Sequence, residues 1–140
     1  MLTSGVSMNS EQMKTRTKKF ALDIIRLVLD MPTGLAYQVI GKQLIRSGTS
    51  VGANYRASCR ARSKADFISK MKIVEEEADE SGYWLELLEE LHLNPEARLS
   101  TLLKETKELV AISVSSIKTA QQHLHDTKVF NQQSSINNQQ

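Results

Sequence analysis

Cysteine is all but missing: Cys59 stands alone among 140 residues, which excludes an internal disulfide and a cysteine-based zinc site together. Proline occurs only at Pro32 and Pro95, and just 7 residues are aromatic (3 Phe, 3 Tyr, 1 Trp). Long helices are therefore free of breakers, while base stacking has few platforms. No apolar run approaches the roughly 18 residues of a membrane span, and Met1-Leu2-Thr3-Ser4-Gly5 lacks the basic and apolar regions of a secretory signal. The expectation is a cytoplasmic protein that does not engage membranes. There is also no glycine-rich phosphate loop, no nucleophile elbow and no Cys/His pair at a recognisable spacing, so NTPase, hydrolase and thiol chemistry lack support. The chain reads as one domain, not an enzyme, with no cofactor.

Charge is present in both signs but segregated. The net charge is only +2, yet Met13 to Lys64 holds 11 basic and 2 acidic residues, whereas Ala65 to Leu99 holds 3 basic and 10 acidic. A basic half thus precedes an acidic half. Either the basic part meets a polyanionic partner or the two halves pair with each other, and composition leaves both open.

Hydrophobic periodicity points to helices throughout. Residues 1–12 are polar and without period and read as a flexible leader. Residues 126–140 are rich in Asn, Gln and Ser, with only Val129, Phe130 and Ile136 to bury, and read as a disordered tail. Between them lies a 13–125 domain. Its first helical stripe is Met13, Thr17, Phe20, Ala21, Ile24, Leu27, Val28 and Met31; Leu22, Ile25 and Leu29 form a separate apolar arc, an expected interface with another subunit. A second helix, about 35–62, carries Tyr37, Ile40, Leu44, Gly48, Val51 and Tyr55 on one face with Gly41, Gly52 and Cys59 at its margin. Interior glycines cost about 1 kcal/mol each against alanine and predict close approach by a neighbouring helix, the alternative being a kink near Gly48 to Gly52. Ser63 followed by Asp66 marks the start of a third helix near Lys64. Its inward face is Phe67, Met71, Val74, Ala78, Ser81, Leu85 and Leu88, with His92 at its end near Leu93. Asn94 and Pro95 open a fourth, whose stripe runs Leu99, Leu102, Thr106, Leu109, Val110, Ser113, Ile117, Ala120 and Leu124. The economical architecture is all-α: an antiparallel up-down four-helix bundle, assembling as a homo-oligomer.

Metal sites find little support. Glu89-Glu90-Leu91-His92 contains one Glu-x-x-His step, but a di-iron bundle needs a second, and none exists. The Glu75-Glu76-Glu77, Asp79, Glu80 cluster fans round a helix and reads as a solvated or ion-paired face, and His123-Leu124-His125 as surface polarity. The basic residues are more informative. On a continuous second helix Lys42, Arg46, Arg56, Arg60 and Lys64 fall within an arc of about 80° and span about 33 Å at 1.5 Å rise per residue, with Arg62 beside them and Lys14, Arg16, Lys18 and Lys19 able to extend the stripe. Arginine suits phosphate because its planar fork donates two parallel hydrogen bonds and stays charged. The stripe reads as a footprint for an RNA or DNA backbone. The competing reading pairs it with the acidic face of the third helix.

The run Arg46-Ser47-Gly48-Thr49-Ser50-Val51-Gly52-Ala53-Asn54-Tyr55-Arg56, continuing through Arg60-Ala61-Arg62-Ser63-Lys64-Ala65-Asp66-Phe67, resembles the bacterial four-helix bundle proteins encoded in intervening sequences of 23S ribosomal RNA genes. The segment Glu75 to Leu88, with Gly82-Tyr83-Trp84 inside it, fits the same family, and the similarity runs from about Thr17 to His123. The resemblance implies a homopentamer without established enzymatic activity. It also implies distant kinship with the accessory protein of diversity-generating retroelements, which binds nucleic acid and a reverse transcriptase. Carried onto this chain, it makes Arg46, Arg56, Arg60 and Arg62 candidate nucleic-acid contacts.

Overall fold

The computed structural model describes residues 8–93 and 95–139. Four helices occur among them: α1 (Ser10–Leu29), α2 (Leu35–Cys59), α3 (Lys64–Glu90) and α4 (Glu96–Asn137). Three of the boundaries have a clear local cause. Asn9 accepts a hydrogen bond from the Gln12 amide at 2.8 Å while the Gln12 side chain accepts one from the Asn9 amide at 3.0 Å, a reciprocal cap that starts α1 three residues before the apolar stripe. The leader expected over residues 1–12 is thus helical from Ser10; residues 1–7 lie outside the described residues, as does the Asn94 cap. Ser63 accepts from the Asp66 amide at 3.0 Å and opens α3. At the other end of α3, His92 takes φ +57°, while the His92 amide donates to the Glu89 carbonyl and the Leu93 amide to the Leu88 carbonyl. These two bonds form a Schellman closure in which His92 stands where glycine is usual. His92 is therefore exposed and off the helix, not at the end of its inward face.

The core joins all four helices. Phe20 and Ile24 of α1, Leu44 and Val51 of α2, Met71, Val74, Leu85 and Leu88 of α3, and Leu99 and Leu109 of α4 are at most 1 % exposed. Each large side chain so buried contributes about 1.5–3 kcal/mol. The glycines of α2 sit where its neighbour comes closest: a Cβ on Gly48 would lie 3.0 Å from two Ile24 carbons, with Gly41 against Val28 and Met31 and Gly52 against Thr17. Helix α2 passes through Gly48 and Gly52 without a break. On its other side the Ser81 hydroxyl donates to Ser47 Oγ at 2.8 Å, fully buried. Small residues thus set the spacing of α2 from both α1 and α3.

Helix α1 also meets α4. Arg16 Nε donates to Glu105 at 2.6 Å, and the same guanidinium pairs with Glu108; the Glu105 bond first, then the other carboxylate contacts, hold Arg16 above the ordinary arginine range against the opposing effect of burial. The side chains of Arg16 and Glu105 are only 24 % and 28 % exposed, between a surface pair worth under about 1 kcal/mol and a buried one whose breakage costs about 3–5. Arg16→Ala should therefore lower stability by about 1–2 kcal/mol in urea titration. A change within error would mean that apolar contacts alone hold this seam.

Composition misreads the C-terminal segment. Helix α4 runs on through the segment expected to be disordered, to Asn137. No Gly or Pro follows Pro95 to stop it, and Gln122 to Asp126 and Thr127 to His123 bond one turn apart. Its last buried residue is Ala120, and Val129, Phe130 and Ile136 stay exposed. No helix among the described residues is long and apolar enough to cross a membrane.

Candidate nucleic-acid interface

The continuous stripe along the second helix does not form. Helix α2 ends at Cys59; Arg60 is its C-cap at φ −109° and ψ 17°, and Lys64 is already the first residue of α3. The angular argument placed Arg60 and Lys64 on a helix that has stopped, because the Ser63 cap captures the chain for α3.

The six basic residues part company, and only Arg56 and Arg60 stay together. Arg46 is engaged: its guanidinium donates to Glu77 at 3.1 Å and pairs with Glu80, both on α3. Those carboxylates, Glu80 first, hold it above the ordinary range. The acidic face of α3 thus does meet the basic helix, at this one point. Lys42 stands apart, lining a depression near the α1–α2 connection with Val28, Tyr37 and Ile45.

Arg56 and Arg60 gather with residues from the start of α1. Together with Lys14, Thr15, Lys18 and Glu11 they line an open depression of about 560 Å³. Glu11 is the one acid there and is bound to Lys14 at 3.0 Å. Lys18, Arg56 and Arg60 have no ion-pair partner among the described residues, and all three are exposed. Lys18 and Arg56 also line the next depression along the α1–α2 seam, with Ala21, Thr49, Gly52 and Ala53, so small residues keep the approach open. Next to Arg56 in the chain, burial first and the neighbouring Cys59 thiol second push the Tyr55 phenol up, leaving it neutral at physiological pH. Arg62 is exposed in the α2–α3 turn, its amide donating to Asp66 at 3.2 Å. Lys64 faces His123 across to α4, Nζ to Nδ1 3.4 Å.

Lys14 and Lys18 were legible only as extensions of a stripe; that they complete a pocket with Arg56 and Arg60 follows from the packing of α1 on α2. Of the apolar arc on α1, Leu22 is 39 % and Leu29 77 % exposed, with Ile25 half-buried and Ile45 of α2 also exposed. No group of three or more His, Cys, Asp or Glu converges as a metal would need among the described residues.

Residues 10–115 match the model of the 23S rRNA-intervening sequence protein family. The chain belongs to that family. It is similar in structure to a protein of unknown function from the S23 ribosomal protein family of Bacteroides thetaiotaomicron VPI-5482, with a TM-score of 0.69 and 34 % identity over 78 % of this chain and 97 % of that one. No curated protein matches. Lys14, Lys18, Arg56, Arg60 and the arc Leu22, Ile25 and Leu29 all fall inside the matched segment, whereas the exposed end of α4 lies beyond it.

Proposed function

We propose that this protein is a non-enzymatic, homo-oligomeric bundle that binds RNA or DNA through phosphates, at the depression lined by Lys14, Lys18, Arg56 and Arg60. One observation carries the reading: three unpaired cations, Lys18 on α1, Arg56 on α2 and Arg60 at the α2 C-cap, converge on an open groove whose single acid is already bound to a lysine. Such a cluster neutralises phosphates without reading bases, and the scarcity of aromatics fits sequence-independent binding. The reading takes the helices as an up-down antiparallel bundle, supported by the partner order along α2: Gly41, Gly48 and Gly52 meet Val28, then Ile24, then Thr17. Self-association is supported by the exposed Leu22 and Leu29, and five subunits is the number the family resemblance implies. A cytoplasmic setting suits the free, exposed Cys59.

The second reading is a scaffold whose charges serve pairing alone, and the Arg46 bridge to Glu77 and Glu80 favours it. Fluorescence anisotropy with labelled single-stranded RNA and duplex DNA across a salt series separates the two, with light scattering tracking the assembly. Phosphate binding gives log affinity falling linearly with log salt, by about 0.7 per contact for single strands and 0.9 for duplex. No binding at low salt, with the assembly intact, would leave the scaffold reading standing.

A further inference from the structure

A further depression, of about 470 Å³, lies between the first turn of α3 and α4, lined by Lys64, Phe67, Ser115, Ser116, Thr119, Ala120 and His123. Its chemistry is one-sided. No acidic side chain lines it, and neither Lys64 nor His123 has an ion-pair partner among the described residues; the two instead face each other at 3.4 Å. The hydroxyls of Ser115, Ser116 and Thr119 are not bonded back to their own helix, unlike those of Thr106, Ser113 and Thr127 on the same α4. Three hydroxyls, an ammonium and an imidazole over an apolar floor of Phe67 and Ala120 suit a group offering several acceptor oxygens and negative charge.

The chain ties this cleft to the first depression. Arg60 lines one and Lys64 lines the other, only four residues apart and so within about 14 Å along the chain. Arg62, exposed, sits between them. A few nucleotides cover that distance.

We propose that the α3–α4 cleft is a second phosphate site, and that a single nucleic-acid strand crosses the α2–α3 turn from the Lys18, Arg56, Arg60 groove past Arg62 to Lys64 and His123. The inference rests on the first groove being a nucleic-acid surface. Ser116, Thr119 and His123 lie past residue 115, so the cleft is built largely from sequence beyond the segment the family model matches.

The test uses the whole 140-residue chain and a labelled 12-nucleotide single-stranded RNA in the same salt series. Lys64→Gln combined with His123→Ala changes two exposed side chains, and a thermal melt verifies the fold. The expected result is roughly tenfold weaker binding and a log–log salt slope shallower by about 0.7, the signature of one lost phosphate contact on a single strand. Ser116→Ala with Thr119→Ala, which leaves the charge untouched, should weaken binding by a smaller factor at unchanged slope. Wild-type affinity and slope in both double variants, while Arg56→Glu with Arg60→Glu loses binding, would overturn the cleft and leave the first groove standing. Absence of binding by the unaltered protein would overturn both.

Discussion

Arg56→Glu combined with Arg60→Glu will weaken RNA binding by about 100-fold or more at low salt and leave the melting temperature within a few degrees of the unaltered protein. Both side chains are exposed and without a carboxylate partner among the described residues, so removing them strands no buried charge. The loss arises in the bound state. Two phosphate contacts vanish, which alone flattens the salt slope by about 1.4 for a single strand, and two carboxylates then face the polyanion beside Lys18. Arg46→Glu is the informative contrast. It places a third carboxylate against Glu77 and Glu80, whose side chains are 17 % and 34 % exposed, so its first consequence is a lower melting temperature from α2–α3 repulsion. If Arg46→Glu weakens binding as much as the Arg56 and Arg60 pair at a temperature where both are folded, the groove at the start of α1 is not the centre of the site. Equal binding by all variants would return the charges to the scaffold reading.

How much of this was legible before folding differs by element. The stripe of α4 from Leu99 to Ala120 could be read because apolar residues at three- and four-residue spacing have one place to go in a helix. The close approach at Gly41, Gly48 and Gly52 was legible for a related reason: glycines in an otherwise good helix need an outside compensation. The groove was not legible as a groove. Lys18 and Arg56 are 38 positions apart in the chain, and only the packing of α1 on α2 through those glycines brings them to one depression. The fate of Arg46 was equally hidden, since whether it meets phosphate or Glu77 depends on the register of α2 against α3, which the buried Ser47–Ser81 hydrogen bond accompanies. Two departures from expectation carry local signals in the sequence. Asn9 and Gln12 spell a capping box before α1, and the lack of any Gly or Pro after Pro95 argued for a continuing helix where polar composition argued for disorder.

The α1–α2 seam that builds the groove should also be the most sensitive place in the molecule to added volume. Gly48→Leu is expected to cost at least about 3 kcal/mol, read as a lower urea midpoint, or to abolish the cooperative transition. Two effects oppose each other. Replacing glycine within α2 removes a backbone-entropy penalty of about 1 kcal/mol. Against that, the first added carbon already lies 3.0 Å from Cγ1 and Cγ2 of Ile24 and 3.3 Å from its Cβ. Ile24 is 0 % exposed, branched at Cβ and held in a helix where its rotamers are few, so it cannot swing aside. Three further carbons then need room in a core packed as densely as a crystal, where overpacking by less costs about 1–3 kcal/mol. A double-mutant cycle isolates the contact. Ile24→Ala alone should cost about 2–5 kcal/mol by leaving a cavity, yet in the Gly48→Leu background it should recover stability, because the new side chain fills the space that the old one vacates. Costs that simply add would mean the strain is relieved elsewhere, by α1 moving away from α2. The test reaches the function as well: if α1 moves, Lys14 and Lys18 separate from Arg56 and Arg60, and RNA affinity should fall along with stability although no charge has changed.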